Sequence, residues 1–545
     1  MKRIALFGNS LLILMIVLIL GFLLRVIFIN NNPPSLYGDE LTITLDAYSL
    51  LKTGHDELGN FMPLTFPMGA GRPAGYVYGS IPFIALFGPT ALGVRALSIL
   101  SGMGILVLLY FLGKRLFSEK VGLLAAAVGA VSPWEIALSR GGFEAHFALF
   151  LALLGIYFFL LVKQKPIFYA FSALSFGLTL HTYPTYKLSL LLFLPLLIWF
   201  QGGREIFVNS KKYLISGIAV LGILGILSLS QTFIGRSEAR FADINILSQG
   251  KLKDSIEQKI DLERQISNSP QIINEFFHNK PIEYVKVFME NYLQNFSLDF
   301  LVLHGDRNPR HNMATMGEVY FVDVILIFIG IISFWQKSKK KILFLVLWLA
   351  LAPVPTAVVD LPHALRSSFM LPPLIILSAL GLVTILGYKN KLILSLVLAV
   401  FIIQFIFFVQ KLYFLAPSEY SNFWSYPAKM ASEIAIKNKD KYDYIILSDK
   451  INDIEFAYPI YAREDPGLII TQNKNKAVLD NYRFKQFNNI YIGYIPVNKD
   501  QKFIDGLNGS VLYISTPDAL KNFKYYEVIK GKSGLADLAV IKKGN

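Results

Sequence analysis

Two adjacent carboxylates, Asp39 and Glu40, open the first long polar segment of the chain, just after its first apolar stretch. An acidic residue before a helical run is a common N-cap, so the pair by itself also fits a purely structural role. A positioned carboxylate can, however, take a proton from a hydroxyl nucleophile. The pair is therefore the first candidate for a chemical site.

A basic residue, Arg72, follows later in the same segment, fixed beside Pro73 and leading into the aromatic residues Tyr76 and Tyr78. A guanidinium group binds phosphate as a planar fork with several donors. A single arginine near a membrane is also commonly an anchor for lipid headgroups. We interpret Arg72 as the first candidate to bind a phosphate.

Four further polar islands interrupt the apolar chain, at residues 139–146, 181–187, 304–311 and 360–366. Charged groups next to membrane spans are costly and usually functional. The candidate phosphate-binding residues are Arg72, Arg140, Lys187 and Arg366. The candidate substrate-binding residues are Tyr76, Glu144, His146, Tyr183 and His363.

A metal site built from His304, Asp306 and His311 is a weaker interpretation. Their spacing matches no strong metal motif, and the basic neighbours Arg307 and Arg310 argue against a bound cation. We therefore assign no metal ligand and no certain cofactor, and a divalent cation stays an open alternative. The chain has no cysteine, which excludes disulfides and thiolate metal sites.

The elements that must position these residues are membrane helices. The chain has 545 residues, of which 54% are hydrophobic and only 17% charged, and the apolar residues come in blocks. A spanning helix needs about 20 mostly apolar residues. The first block is too long for a signal peptide and lacks a cleavage site, so we expect an uncleaved span. About eleven spans are predicted by this criterion, at residues 7–29, 91–112, 121–138, 147–162, 167–180, 188–200, 214–233, 319–335, 342–358, 369–386 and 392–415.

Basic residues alternate between the short loops in a way that predicts orientation. The short outer loops hold only Arg140, Lys187 and Arg366. We therefore expect a multi-pass protein of the plasma membrane with a cytoplasmic N-terminus and an extracytoplasmic C-terminus. The predicted inner loops hold Lys114, Arg115, Lys120, Lys163, Lys165, Arg204, Lys211, Lys212, Lys337, Lys339, Lys340, Lys341, Lys389 and Lys391.

The formal net charge of +14 is explained by these basic inner loops. The sequence contains no zinc knuckle, no basic–aromatic RNA motif and no long basic tract, so we expect no nucleic-acid partner.

The composition changes after about residue 417, where short β-like runs alternate with helical pieces. We predict a transmembrane domain over residues 1–416, with outer loops at 30–90 and 234–316. A small extracytoplasmic α/β domain over residues 417–545 follows it.

At these residues the chain resembles the GT-C integral membrane glycosyltransferases, in particular bacterial glycosyltransferase family 39 and its ArnT-like members. The resemblance covers about residues 1–415, and the family's usual Lys-Pro-Pro is Arg72-Pro73-Ala74 here. It rests on Asp39-Glu40, Thr53-Gly54, Met62-Pro63-Leu64, Arg72-Pro73, Tyr76-Val77-Tyr78, Ser132-Pro133-Trp134, Ser139-Arg140-Gly141, Phe143-Glu144-Ala145 and Pro362-His363-Ala364-Leu365-Arg366.

The resemblance implies transfer of a sugar from a polyprenyl-phosphate donor in the membrane to an extracytoplasmic acceptor, which is a lipid, a protein or a glycan, with inversion at the anomeric carbon. By analogy Asp39 is the base and Glu40 holds the acceptor or neighbouring groups. The phosphate leaving group needs cationic stabilisation, which the four basic candidates can supply.

Three other functions remain alternatives. A secondary transporter would gather its ionisable residues near the bilayer midplane, whereas here they collect at the predicted outer ends. An O-antigen ligase or polymerase-type enzyme would rely on the large loop at 234–316. A non-catalytic scaffold would use the tail to bind a partner.

Overall fold

The computed structural model describes residues 2–68, 71–203, 211–234, 246, 250–388, 391–496, 499–521, 523 and 526–544. Arg204 and Lys389, both predicted to lie in inner loops, and most of residues 235–249 of the predicted large loop fall outside the described residues.

The first part of the chain is helical, with a two-stranded antiparallel ribbon (β1, Thr65–Phe66, and β2, Arg72–Pro73) inside the first long loop. Its helices are α1 (Lys2–Val26), α2 (Gly38–Thr53), α3 (Gly75–Phe87), α4 (Ala91–Leu116), α5 (Glu119–Val131), α6 (Pro133–Arg140), α7 (Glu144–Leu161), α8 (Phe168–Leu180), α9 (Thr185–Gln201) and α10 (Lys211–Ile234).

The described part of the predicted large loop is also largely helical up to Leu303. It contains α11 (Gly250–Ile266), α12 (Gln271–Phe277) and α13 (Lys280–Gln294), and a short π-helical turn (Asp299–Leu303) follows. The apolar bundle then resumes with α14 (Phe321–Trp335), α15 (Lys339–Leu351), α16 (Val354–Ala357), α17 (Leu371–Gly387) and α18 (Lys391–Gln410).

Six of the described helices are long and apolar enough to cross a membrane, and a bent pair raises this number to seven. Five shorter apolar helices accompany them. The chain is therefore a multi-pass membrane protein, while the count of about eleven spans and the orientation of the termini stay predictions.

The bent pair corrects one predicted span. Residues 121–138 were expected to form a single helix, but α5 ends at Val131 and α6 begins at Pro133, with a bend of 59°. The Ser132 hydroxyl accepts from the backbone N–H of Glu135, so it caps the new helix, and Pro133 occupies the first helical turn. A serine cap followed by proline is a strong helix start, which explains the break.

The C-terminal region begins with α19 (Ala416–Glu419) and contains a seven-stranded mixed sheet, which confirms the predicted α/β character. The remaining elements are α20 (Tyr426–Asn438), β3 (Tyr444–Ser448), α21 (Ile454–Ala462), α22 (Pro466–Lys474), β4 (Ala477–Leu479), β5 (Tyr482–Phe487), β6 (Ile490–Gly493), α23 (Asp500–Gly506), β7 (Val511–Ser515), β8 (Glu527–Lys530) and β9 (Ala536–Lys543). The strand order is β4-β5-β6-β3-β7-β9-β8, and β3 is parallel to both β6 and β7.

This sheet does not stand apart from the membrane region. One apolar cluster joins Leu41 and Leu45 of α2 to Ala431 of α20, Ile445 of β3 and Ile454 of α21. Buried apolar side chains dominate folding energetics. The first long loop and the C-terminal region therefore fold over a shared core.

Candidate functional site

Asp39 lies in the first turn of α2, which begins at Gly38. Its side chain is 44% exposed. A carboxylate at this position is favoured by the positive end of the helix dipole. Asp39 is therefore favourably placed at the start of α2 and open to a substrate hydroxyl.

The ribbon of β1 and β2 brings Arg72 directly behind Asp39. The Arg72 side chain is only 3% exposed, and its Nη2 lies 3.1 Å from Oδ1 of Asp39. Its Nε lies 2.6 Å from Oε1 of Glu144, and its Nη1 donates to the Thr42 hydroxyl at 2.8 Å. One guanidinium group thus orients two carboxylates from different elements.

This group combines one guanidinium, that of Arg72, with two carboxylates, those of Asp39 and Glu144. Burial lowers the pKa of Arg72, but the carboxylates of Glu144 and Asp39 more than offset this and raise its pKa above the usual value. Arg72 stays charged, and its three guanidinium nitrogens already contact protein groups. The arrangement is better suited to holding Asp39 and Glu144 in place than to binding a phosphate directly.

Glu40, the next residue of α2, is completely buried. Its two carboxylate oxygens accept from Nε and Nη2 of Arg95 at 2.7 and 2.8 Å. It also accepts from the backbone N–H of Gly142 at 2.8 Å. The structure therefore revises the catalytic assignment of Glu40, because a fully buried and paired carboxylate holds neighbouring elements and does not meet a substrate.

Arg140 is likewise buried, and the structure revises its phosphate assignment. Its guanidinium donates to the carbonyl oxygens of Leu24, Ile27 and Asn32, at 3.0, 3.0 and 2.6 Å. Free carbonyls at the end of a helix need donors. Arg140 supplies them at the end of α1 from a fully buried position.

Two of the predicted substrate-binding residues also lie in the interior. The Tyr76 hydroxyl donates to the carbonyl of Val94 at 2.9 Å and lies 2.7 Å from the Ser98 hydroxyl. His146 is fully buried, with Nε2 3.0 Å from Oε1 of Glu135. Neither side chain is open to a substrate in this structure.

The other predicted residues keep some exposure. Lys187, Tyr183 and Arg366 are all half-buried, and the ammonium of Lys187 donates to the carbonyl of Ser228 at 3.3 Å. Among the residues that the structure describes, no carboxylate lies within ion-pair distance of Arg366. Arg366 is therefore the predicted cation best able to accept an anionic ligand.

The structure brings together a second cluster that the sequence only hinted at. Nδ1 of His311 lies 3.1 Å from Oδ2 of Asp306, and Nδ1 of His363 lies 3.7 Å from the same oxygen. The two imidazole rings lie 4.4 Å apart. His304, which the sequence suggested as a partner, instead pairs with Asp299 and is 73% exposed.

The pKa values of Asp306 and His363 in this cluster both lie below their usual values. Burial raises the pKa of Asp306, but the hydrogen bond and charge of His311 outweigh burial and hold it well below its usual range. Burial, His311 and Arg366 together hold the pKa of His363 well below its usual value. The carboxylate is therefore ionised and the His363 ring neutral at neutral pH.

Aromatic side chains connect the two clusters. Phe143 packs edge-on against the His311 ring, with centroids 5.8 Å apart, and lies 6.0 Å from the Tyr37 ring. Phe143 directly precedes Glu144, and Tyr37 lies two residues before Asp39. The carboxylate–arginine group and the histidine cluster are thus linked through packed aromatic side chains.

Sequence reasoning missed three buried charges that build this site. Arg25 pairs with Glu135, and its Nε donates to the Ser139 hydroxyl at 3.1 Å; Arg95 pairs with Glu40. All three charged side chains are fully buried. A charge inside or at the edge of an apolar block is costly, and this was the signal that could have identified them.

Comparisons with known proteins agree with this architecture. Residues 76–228 match the family model described as dolichyl-phosphate-mannose-protein mannosyltransferase. A search of curated protein sequences finds no match.

Similar folds occur among solved membrane proteins. The structure of ArnT from Cupriavidus metallidurans bound to undecaprenyl phosphate is similar, with a TM-score of 0.55, 12% identity and coverage of 98% of both chains. The archaeal oligosaccharyltransferase AglB from Archaeoglobus fulgidus, in complex with an inhibitory peptide and a dolichol-phosphate, gives a TM-score of 0.49 and 15% identity. That alignment covers 82% of this chain and 63% of AglB. The resemblance of this chain to the GT-C integral membrane glycosyltransferases is therefore confirmed.

Proposed function

We propose that this protein transfers a sugar from a polyprenyl-phosphate donor to an acceptor hydroxyl on the extracytoplasmic side of the membrane, with inversion at the anomeric carbon. The observation that carries the proposal is the half-exposed carboxylate of Asp39, oriented by the buried Arg72 within a fold similar to that of ArnT. The undecaprenyl phosphate bound in the ArnT structure supports a lipid-phosphate donor for this protein.

Asp39 is the proposed general base. One of its oxygens accepts from Arg72, and the other carboxylate oxygen can take the proton of the acceptor hydroxyl as that oxygen attacks the anomeric carbon. A positioned base of this kind contributes roughly 100- to 10,000-fold to the rate. The bond to the donor phosphate breaks on the opposite face of the sugar, which gives inversion.

Arg72 and Glu144 are proposed as positioning residues. The guanidinium holds Asp39 and Glu144 at 3.1 and 2.6 Å, and Glu144, at 19% exposure, keeps an edge toward the site. A charge-assisted pair fixes carboxylate orientation more strongly than a neutral hydrogen bond.

Arg366 and Lys187 are the proposed groups for the leaving phosphate, which needs a cation and not an acid. Arg72 and Arg140 are not retained in this role, because each already donates to protein oxygens from a buried position. His363, next to Arg366 in the same loop, remains a proposed substrate contact.

The placement of Asp39 also bears on the alternatives. A transporter would hold such a carboxylate deep between two gates at the bilayer midplane, whereas Asp39 is exposed in the first turn of α2, outside the apolar spans. An O-antigen ligase or polymerase-type enzyme would not need the early carboxylate. A transporter would therefore show no sugar transfer, and an O-antigen ligase or polymerase-type enzyme would keep its transfer activity in Asp39→Asn.

The test is an in vitro assay of the purified full-length chain with a panel of polyprenyl-phosphate sugars. We expect transfer, or donor hydrolysis, with at least one of them, and a loss of roughly 100-fold or more in Asp39→Asn. Asp299→Asn is the matched control, because Asp299 is a similarly exposed carboxylate whose one ion pair among the described residues is with the exposed His304.

Two results would overturn the proposal. The first is absence of turnover with every donor under conditions where a known transferase is active. The second is an Asp39→Asn variant that is as active as Asp299→Asn.

A further inference from the structure

We infer that Asp306, His311 and His363 form a binding site for one divalent metal ion of the zinc type. Asp306 and His311 lie in the loop before α14, and His363 lies in the loop before α17. The fold brings these two loops together. Their candidate ligand atoms all lie within 4.8 Å of one another. Two imidazoles and one carboxylate are a common ligand set for zinc in sites that keep an open position.

The spacing of the atoms suits a metal ion with little movement. Oδ2 of Asp306 is 3.1 Å from Nδ1 of His311 and 3.7 Å from Nδ1 of His363. Ligands at about 2.0–2.2 Å from a tetrahedral zinc ion lie roughly 3.3 Å from each other. The ion would replace the proton now shared by His311 and Asp306, and that proton would leave to solvent.

Backbone groups already hold the carboxylate in place. The N–H of Asn308 donates to Oδ1 of Asp306 at 2.8 Å, and the N–H of Ala364 donates to Oδ2 at 2.7 Å. Hydrogen bonds from outside the ligand set orient ligands and strengthen binding. Because Ala364 follows His363 directly, the same contact also fixes the loop that carries the third ligand.

The basic neighbours that argued against a cation are directed elsewhere. The Arg307 side chain is exposed. The Nε of Arg310 donates to the carbonyl of Phe423 at 2.5 Å, and its guanidinium lies 5.3 Å from the centre of the Tyr37 ring. A divalent cation at this site would face the carboxylate of Asp306 directly.

The position of the histidine cluster indicates which group the ion would bind. His311 touches Phe143, which precedes the Arg72 partner Glu144, and Arg366 lies three residues after His363. An ion with an open position beside Arg366 would attract an anionic oxygen. The identification of that oxygen with the donor phosphate rests on the proposed function, whereas metal binding itself does not.

Metal binding can be measured without any donor or acceptor. The purified full-length chain, treated with a chelator and then titrated with Zn²⁺ against a chromophoric competitor, is expected to bind one ion per chain. His363→Ala is expected to weaken binding by about tenfold or more, and Asp306→Asn by more. His304→Ala, a histidine in the same loop but outside the cluster, is the matched control and should bind normally.

His363 is partly exposed, at 22%, so its truncation is the variant least prone to disturb folding, and thermal unfolding of each variant checks this. The inference is overturned if the wild type binds no stoichiometric zinc, or if His363→Ala binds as tightly as His304→Ala. In that case the cluster is a hydrogen-bonded clamp between two loops. A failed sugar-transfer assay with intact zinc binding would count against the proposed function alone.

Discussion

Asp39 and Glu40 are neighbours in sequence but have opposite environments. Asp39 is oriented by Arg72 and open on one side, while Glu40 is sealed against Arg95 and the N–H of Gly142. Successive residues of a helix point about 100° apart, since 3.6 residues complete one turn. One carboxylate therefore faces the site and the other faces the packed interior.

This difference predicts that neutralising Glu40 lowers the stability of the protein, whereas neutralising Asp39 lowers its activity. Glu40→Gln leaves Arg95 as a buried charge without its partner, a change that typically costs about 3–5 kcal/mol of stability. We expect a clear fall in the unfolding temperature of the purified protein. Asp39→Asn should lose transfer activity and unfold near the wild-type temperature.

A matched control is Glu257→Gln, which breaks the exposed ion pair with Lys280. Exposed pairs contribute little because water screens them, so its unfolding temperature should hardly change. Equal unfolding temperatures for Glu40→Gln and Glu257→Gln would contradict the structural role of Glu40.

At the scale of elements, α2 is held between the membrane helices and the C-terminal region. A second acidic group joins α2 to the loop that follows it. The backbone N–H of Glu57 in that loop donates to Oδ1 of Asp46 in α2 at 3.2 Å. Both side chains are buried. The amide of Asn473 in α22 donates to the carbonyl of Glu57 at 2.8 Å, which joins this loop to the C-terminal region.

The acidic group at Glu57 predicts a pH-dependent stability. Burial raises the pKa of Glu57 from 4.5 to about 7, because it outweighs the opposing charge of Lys485, and Glu455 and Asp56 raise it further. The folded state therefore holds its proton more tightly than the unfolded state. The resulting stabilisation is complete below about pH 4.5 and is lost as the pH rises through about 7.

The measurement is thermal unfolding of the wild type and of Glu57→Gln at several pH values between 5 and 8. The unfolding temperature of the wild type should fall as the pH rises, and that of Glu57→Gln should fall much less. Glu290→Gln, at an exposed glutamate of α13, should keep the wild-type dependence. If the unfolding temperature of Glu57→Gln depends on pH as that of the wild type does, the Glu57 carboxyl does not cause the pH dependence between pH 5 and 8, and the prediction is wrong.

At the scale of the whole molecule, Trp424 joins the C-terminal region to the site. Its ring lies edge-on to Tyr37 at 5.2 Å, and the Arg95 guanidinium lies 5.4 Å from its centre. The Ser35 hydroxyl donates to its backbone carbonyl. One buried tryptophan thus contacts both the segment that leads into α2 and the partner of Glu40.

Trp424→Ala is therefore expected to loosen the contact between the membrane region and the C-terminal region. Truncating a buried aromatic side chain typically costs about 3–5 kcal/mol. We expect a lower unfolding temperature and faster protease cleavage near residues 416–426 in intact protein. Trp199→Ala, at an exposed tryptophan of α9, should resist protease like the wild type, and equal cleavage of both variants would contradict the prediction.

The sequence by itself determined the membrane class, most helix positions, the α/β character of the tail and the resemblance to the GT-C transferases. It also predicted Asp39, Arg72 and Glu144, which the structure brings together, and His363, which the structure places beside Asp306. These inferences succeed because hydrophobic blocks of about 20 residues and local residue types are properties of short stretches. Exposure of a particular side chain is not such a property.

Only the tertiary structure decided which charges face the site and which are sealed inside. Nothing local distinguishes Glu40 from Asp39, or Arg140 from Arg366. Their partners, Arg95 for Glu40 and the end of α1 for Arg140, lie 55 and more than 100 residues away. A buried charge is stable only when distant groups satisfy it, so its role depends on how helices pack and not on its sequence neighbours.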